Sequence, residues 1–321
     1  EKTYAGGALT EQFKQTMKPL AESLLNEVNT RYARVSAIND SSFSSELSAV
    51  KSLYNRAKSL YDKGDYYAST SQSFGALIKL RYVEYSMGYV DAKNTNEYIS
   101  QLHSEVKEEI AKSNRTIRQA ASSAELINIE GLGAAESRVQ EAQGLLSQAT
   151  SARSAQEMLQ LLAFAYERAR SASWWIAIAQ HGGVRGLNED DLKSVAAGYI
   201  SQAQSIATYS STLLDESGAT GLMPLVSRAM QDIDSAKAQF EVGFYAGAIY
   251  DSLQSMVRSS VAIELIGAKE SELSDRLEKA EQSARNAIIR ERSYGVEPIL
   301  CLLYTSPSPR DLSTSRMPSS A

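Results

Sequence analysis

The fold is decided by two stretches that match position for position: Tyr61-Asp-Lys-Gly64-Asp-Tyr66-Tyr-Ala68 and Phe240-Glu-Val-Gly243-Phe-Tyr245-Ala-Gly247. In each stretch an aromatic residue precedes a glycine by three positions, and a tyrosine follows that glycine by two. Glycine adopts left-handed backbone dihedrals at low cost and therefore ends helices. Each stretch consequently predicts a tight turn between two antiparallel helices.

The offset between the two glycines is 179 residues, which indicates an internal repeat of about 90 residues. Halfway between them, the turn near Arg153 joins two further helices but has lost the glycine. We predict three units of three helices each, 11–88, 95–181 and 189–266, with a fourth beginning in 267–300. In each unit a long first helix precedes the hairpin, and adjacent units bury one another's apolar faces. The alternative is a chance similarity between alanine-rich helices.

The sequence predicts an all-α fold, arranged as an elongated array of these repeats. Apolar residues recur three and four positions apart, and runs of Val, Ile and Thr with period two are missing, so we expect no sheet. Only three of the six prolines precede residue 301, which permits long helices. Residues 1–10 are predicted to be a linker. The predicted helices are 11–36, 43–63, 66–88, 95–128, 133–152, 155–181, 189–215, 222–242, 245–266 and 268–293.

Residues 301–321 differ in character from the rest of the chain. The codons that would encode Cys301–Asp311 and Ser315–Ala321 resemble the two parts of a common sequencing adapter, in one frame and at the right spacing. We therefore expect a non-native, adapter-derived tail without regular structure, and a chain whose natural ends lie elsewhere. The alternative is a natural tail rich in proline and serine.

Composition excludes several classes of function. The chain carries 33 Lys and Arg against 38 Asp and Glu, a net charge of −5, which argues against a nucleic-acid surface. Cys301 is the single cysteine and lies in the tail, so the remainder has no disulfide and no thiolate metal site. No apolar run reaches the roughly 20 residues of a membrane span. Motifs for a phosphate loop, a dinucleotide or calcium are also missing, so we expect no cofactor.

The chain contains two histidines and two tryptophans, which are the candidates for a metal ligand and for stacking on a ligand. His103 lies among several glutamates and is expected to be solvated, and His181 precedes two glycines at a predicted helix end. Neither belongs to a metal-binding pattern. Trp174 and Trp175 point about 100° apart on a helix, so we expect one in a unit core and the other at a helix contact. A role in stacking on a ligand is the alternative.

Three short sequence patterns are weak indicators of function. Asn39–Ser41 and Asn114–Thr116 fit the glycosylation acceptor pattern, which arises by chance in a chain rich in serine. Glu189–Asp191 follows Asn188 and is typical of a capped helix start with acidic residues in its first turn.

Three segments resemble the helical region of an archaeal family of Lon-like serine proteases: Tyr61–Lys79, Ala165–Trp175 and Met17–Leu25. The resemblance covers about residues 17–300. It implies that a protease domain with a Ser–Lys dyad precedes Glu1, in a secreted or membrane-associated protein that lacks the ATPase module of typical Lon.

Two hypotheses of different class follow from the resemblance and from the repeat. In the first, the chain is the non-catalytic accessory region of such a protease and holds substrate or positions the catalytic domain. In the second, it is a free-standing helical scaffold that binds a protein or peptide partner. Neither hypothesis assigns a catalytic, cofactor-binding or metal-ligating residue to this chain.

Overall fold

The structure is a computed structural model that describes residues 6–38, 40–122, 129–179 and 189–269, together with 271–272, 275–276, 278–279, 282 and 286. Within these residues the chain forms helices and no strand, so the predicted all-α fold is confirmed. No helix in this part of the chain is both long and apolar enough to span a bilayer. The helices are α1 (Gly6–Ser36), α2 (Ser44–Asp62), α3 (Tyr66–Asp91), α4 (Thr95–Ser122), α5 (Ile129–Thr150), α6 (Ala155–Ala179), α7 (Glu189–Ser217), α8 (Met223–Glu241) and α9 (Tyr245–Leu265).

The helices divide into two compact units. The first takes its described residues from Glu1–Ser113 and Glu141–Trp174, and the second from Asn114–Gln140 and Trp175–Ile299. The helices α4 to α6, which the repeat assigns to a middle unit, therefore contribute residues to both. The division into three repeat units stays a prediction.

The two hairpins identified in the sequence have the same local structure. The helices α2 and α8 are both 19 residues long, and Gly64 and Gly243 follow them with φ angles of 82° and 80°. At each turn the residue after the glycine donates its backbone N–H to a carbonyl five residues back, at 2.9 Å and 2.8 Å. A ring pair closes each hairpin, Tyr61 with Tyr66 at 5.1 Å and Phe240 with Tyr245 at 5.3 Å. The glycines thus lie in equivalent elements, as the repeat predicts.

The buried positions of the two hairpins and of the helix before each also correspond. Each pair below is separated by 179 residues, and both members are buried. Unit 1 places large apolar side chains at several positions where unit 2 has alanine. The pairs are Met17/Ala196, Leu24/Ala203, Val28/Ala207, Val35/Leu214, Val50/Ala229, Ala57/Ala236 and Val83/Ala262.

The turn between α5 and α6 replaces glycine by a capping box. Ser154 Oγ accepts a hydrogen bond from the backbone N–H of Glu157 at 3.1 Å. In return, Glu157 Oε2 accepts from the backbone N–H of Arg153 at 2.8 Å. The two bonds satisfy free donors at the start of α6.

The predicted interruption between helices 95–128 and 133–152 is wrong at Glu130–Gly133, because α5 begins at Ile129 and contains these residues. Their glycines permit close helix contacts instead of ending a helix. A Cβ at Gly131 would lie 2.9 Å from the Cα of Ala179, and one at Gly133 would lie 2.6 Å from the carbonyl oxygen of Ala246. Helices can approach this closely only where a side chain is missing.

Other boundaries differ less from expectation. The helix α1 begins at Gly6, within the predicted linker 1–10, and continues through Pro19, which faces solvent. The predicted fourth unit lies largely outside the described residues, and the predicted tail 301–321 lies wholly outside them.

Candidate functional site

The residues singled out from the sequence occupy separate structural positions. His103 is half-buried on α4, where burial and the charge of Lys107 lower its pKa. Trp174 packs edge-on against Phe74 at 6.0 Å in unit 1. Trp175 is buried in unit 2 and lies 4.6 Å from the guanidinium of Arg138. Both tryptophans take part in packing, and the described residues hold no cluster of potential metal ligands.

The remaining patterns take ordinary helical positions or are not described. Asn114 lies inside α4 with its Oδ1 buried, a poor site for glycosylation. Glu189 begins α7, and the first turn is acidic as predicted. His181 and Asn39 lie outside the described residues.

The densest group of charges in unit 1 surrounds Glu167, whose side chain is fully buried on α6. Arg31 on α1 and Arg81 on α3 both donate to its Oε1, at 3.1 Å and 3.0 Å. Arg170, one turn further along α6, has its Nε 3.2 Å from the other oxygen. One carboxylate therefore joins guanidinium groups from three helices.

Two more glutamates complete this charge cluster. Glu84 accepts from Arg31 at 2.6 Å, and Glu27 accepts from Arg170 at 2.7 Å and 2.8 Å. Burial alone would raise the pKa of both carboxyls, but the bonds and charges of these arginines outweigh it and hold both pKa values below the ordinary 4.5. The carboxylates stay ionised, and each is bound by arginine. Such a cluster fixes the packing of α1, α3 and α6 and leaves no group poised for proton transfer.

Unit 2 contains a different kind of buried carboxyl. Glu136 of α5 is only 4% exposed, and its Oε2 accepts a hydrogen bond from the backbone N–H of Gly247 at 2.6 Å. Gly247 is the third residue of α9, whose first turn receives no side-chain cap from Phe244. Glu136 thus caps α9 from a neighbouring helix. Burial raises its pKa to about 8, against the opposing effects of this bond and of Arg118.

A second buried carboxyl, Asp251 of α9, lies one turn beyond this cap. It accepts hydrogen bonds from Ser137 of α5 at 2.9 Å, from Ser235 of α8 at 2.6 Å, and from Gln239 of α8. Burial raises the pKa of Asp251 to about 6 despite these three donors. The hydroxyls are held as donors to one carboxyl that joins three helices, an arrangement suited to packing. Covalent catalysis requires instead a hydroxyl whose proton is removed by a base beside an oxyanion hole.

The outer face of α9 carries the most continuous exposed apolar feature among the described residues. Leu253, Val257 and Val261 follow one another at intervals of four and are 38%, 59% and 43% exposed. Residues four apart lie on the same face of a helix. We call these three residues the α9 stripe.

Comparisons of this chain with protein-family profiles, curated proteins and solved structures give no match.

Sequence reasoning missed the buried carboxyls, although one of them leaves a signal. Glu167 directly follows the run Leu161-Leu-Ala-Phe-Ala-Tyr166, six apolar or aromatic residues in succession. A charge at such a position indicates a buried ion pair. Glu136 leaves no comparable signal, because its partner is a backbone amide more than a hundred residues away.

Proposed function

We propose that this chain is a non-catalytic helical-repeat region that holds or positions a protein or peptide partner. The resemblance to archaeal Lon-like proteases extends the proposal. The chain would be the accessory region of a membrane-associated or secreted protease whose Ser–Lys domain lies upstream of Glu1.

The observation that carries the proposal is the duplication of one three-helix plan in α1–α3 and α7–α9. Helical repeats present rows of side chains on their outer faces, and proteins built from them commonly bind other proteins there. The buried polar groups of both units support the same interpretation, because Glu167 and Asp251 each join three helices.

A free-standing scaffold is the second candidate, and the α9 stripe favours it. An apolar face at this position can receive a partner whether or not a protease domain is present in the same polypeptide. The coding sequence upstream of Glu1 distinguishes the two candidates. A Lon-type domain there supports the accessory role, and an unrelated sequence supports the scaffold.

A peptidase assay tests the proposal that the chain is non-catalytic. The purified chain is incubated with casein and with fluorogenic peptides, and a serine-reactive probe is applied in parallel. We expect no turnover above background and no labelling. Turnover that one Ser→Ala substitution abolishes would overturn the proposal.

A further inference from the structure

Two hydrogen bonds that run in opposite directions join α5 to the first two turns of α9. Glu136 of α5 accepts from the backbone N–H of Gly247 on α9, at 2.6 Å. The next residue of α5, Ser137, donates its hydroxyl to Asp251 of α9, at 2.9 Å. Each helix therefore supplies one carboxyl and one donor to the other. We call these four residues the α5–α9 latch.

The two helices meet so closely at the latch that its carboxyls are almost closed off from water. Glu136 is 4% exposed and Asp251 is 7% exposed. A Cβ at Gly247 would lie 2.9 Å from the Cβ of Glu136, and one at Gly133 would lie 2.6 Å from the carbonyl oxygen of Ala246. A buried carboxylate needs a cation or hydrogen bonds in place of its lost water. Separation of α5 from α9 is the direct way to restore that water.

The charged groups around the latch do not offset its burial. Burial raises the pKa of Glu136 to about 8, against the attraction of Arg118 on α4. Burial, together with the like charge of Asp232 on α8, raises the pKa of Asp251 to about 6. The guanidinium of Arg258 on α9 pairs with Asp232 at 2.6 Å. Both carboxyls of the latch therefore bind a proton more tightly when the latch is closed than when they are in water.

The helices α7, α8 and α9 are held together by apolar clusters of their own. Three such clusters draw all their members from residues 192–266. In the first, Ala248 and Ile249 at the start of α9 are grouped with Ala196 of α7 and Ala236 of α8. Proteins open locally, with a lower free energy than global unfolding, where a segment can separate from the core. Separation of α5 from α9 leaves the contacts within these clusters in place.

We propose that the α5–α9 latch is a pH-operated switch, in which ionisation of Glu136 and Asp251 releases residues 129–140 of α5 from α9 while the α7–α9 bundle stays folded. At low pH both carboxyls are protonated and the latch is closed. As pH rises, the open form gains population because both carboxylates then reach water. This switch is independent of the proposed function, since it concerns how unit 2 opens and not what the chain binds.

The sign and size of the effect follow from the pKa values of the two carboxyls. Since both values are raised in the closed latch, the closed form is fully favoured below the ordinary values of 4.5 and 3.8. It loses this advantage up to about pH 8 through Glu136 and up to about pH 6 through Asp251. Between pH 6 and 8 the ratio of open to closed latch should therefore rise about fiftyfold through Glu136 alone. Glu136→Gln cannot ionise, so only the rise of about twofold from Asp251 should remain.

Native-state hydrogen exchange of the full chain, followed by mass spectrometry and corrected for the intrinsic rate, tests the switch. At pH 8, peptides of residues 129–140 should exchange faster than those of α8. Low urea concentrations should accelerate exchange in α8 only, because a local opening exposes little surface. From pH 6 to 8, corrected exchange in 129–140 should accelerate at least about fiftyfold in the wild type and about twofold in Glu136→Gln. The control Glu108→Gln, at an exposed carboxyl on α4, should behave as the wild type.

A second variant opens the latch without a change in either carboxyl. Gly133→Ala places a Cβ against the carbonyl oxygen of Ala246, so it should accelerate exchange in 129–140 at every pH and keep the dependence on pH. Exchange in 129–140 that matches α8 in rate and in urea dependence would overturn the proposal, because unit 2 would then open only by unfolding. An acceleration with pH that Glu136→Gln leaves unchanged would also overturn it, as would a local opening that does not depend on pH. Circular dichroism at pH 6 and 8 checks that each variant is folded.

Discussion

The cap that Glu136 provides to α9 gives the sharpest prediction, the effect of Glu136→Gln on stability. The glutamine carbonyl can still accept the hydrogen bond from Gly247, but the side chain no longer ionises. Glu136 binds its proton more tightly in the folded chain, where its pKa is about 8, than in the unfolded chain, where the pKa has its ordinary value of 4.5. A carboxyl with a raised folded pKa stabilises the protein less as pH rises from the unfolded to the folded value.

The magnitude follows from the net rise in pKa, in which burial outweighs the bond from Gly247 and the charge of Arg118. A rise from 4.5 to about 8 corresponds to about 5 kcal/mol at 1.36 kcal/mol per unit. We expect Glu136→Gln to be more stable than the wild type by about this amount at pH 8.5, and nearly equal to it at pH 5.

Urea unfolding followed by circular dichroism, at half-unit steps from pH 5 to 9, measures the difference. The wild type should lose stability from about pH 4.5 to 8 through Glu136, and the variant should lack this loss. Both should share the smaller loss that Asp251 contributes up to about pH 6. The control is Glu108→Gln, which alters an exposed carboxyl on α4. A variant that is less stable than the wild type at pH 8.5 would show that the fold stabilises the ionised carboxylate of Glu136 and does not raise its pKa, and would refute the reasoning.

Three further predictions concern packing. Glu167→Gln leaves three arginines without their shared carboxylate, so it should lower the free energy of unfolding of unit 1 by about 3–5 kcal/mol in urea titrations. A loss below about 1 kcal/mol would contradict a buried charge network. Gly133→Ala should destabilise the chain, because the new Cβ would clash with the carbonyl oxygen of Ala246. Gly144→Ala on the same helix has open space around it and should stabilise the chain by about 0.5–1 kcal/mol. Equal shifts in melting temperature would refute the close contact at Gly133. Deletion of 301–321 should leave the melting temperature unchanged within error, and a drop of more than about 4 °C would show that the tail packs.

The sequence predicted what local chemistry determines. A glycine with an aromatic residue before it and a tyrosine after it specifies the hairpins at Gly64 and Gly243, because the turn depends on residues within one or two helical turns. The same rule failed at Gly131 and Gly133. Glycine ends a helix or admits a neighbouring helix, and the choice depends on whether a distant backbone such as that of Ala246 lies alongside.

The buried charges depended on contacts that no local pattern contains. Arg31 and Glu167 are 136 residues apart, and Glu136 and Gly247 are 111 apart. Helical periodicity places a residue on a face but does not state what that face meets. Only tertiary structure distinguishes a solvated glutamate from one that caps another helix.

The two units carry buried carboxyls of opposite kind, so their stabilities should depend on pH in opposite directions. In unit 1 the pKa values of Glu27 and Glu84 are lowered, which gives stability that is complete above about pH 4.5 and is lost as pH falls further. In unit 2 those of Glu136 and Asp251 are raised, which gives stability that is lost as pH rises from about 4 to 8. Hydrogen exchange followed by mass spectrometry, corrected for the intrinsic rate, resolves peptides of α3 from those of α9. Raising the pH from 4 to 8.5 should slow corrected exchange in α3 and accelerate it in α9. If the corrected exchange rates of both helices changed in the same direction, the two groups of buried carboxyls would not control stability. Two units of the same fold without such carboxyls would respond to pH in the same way.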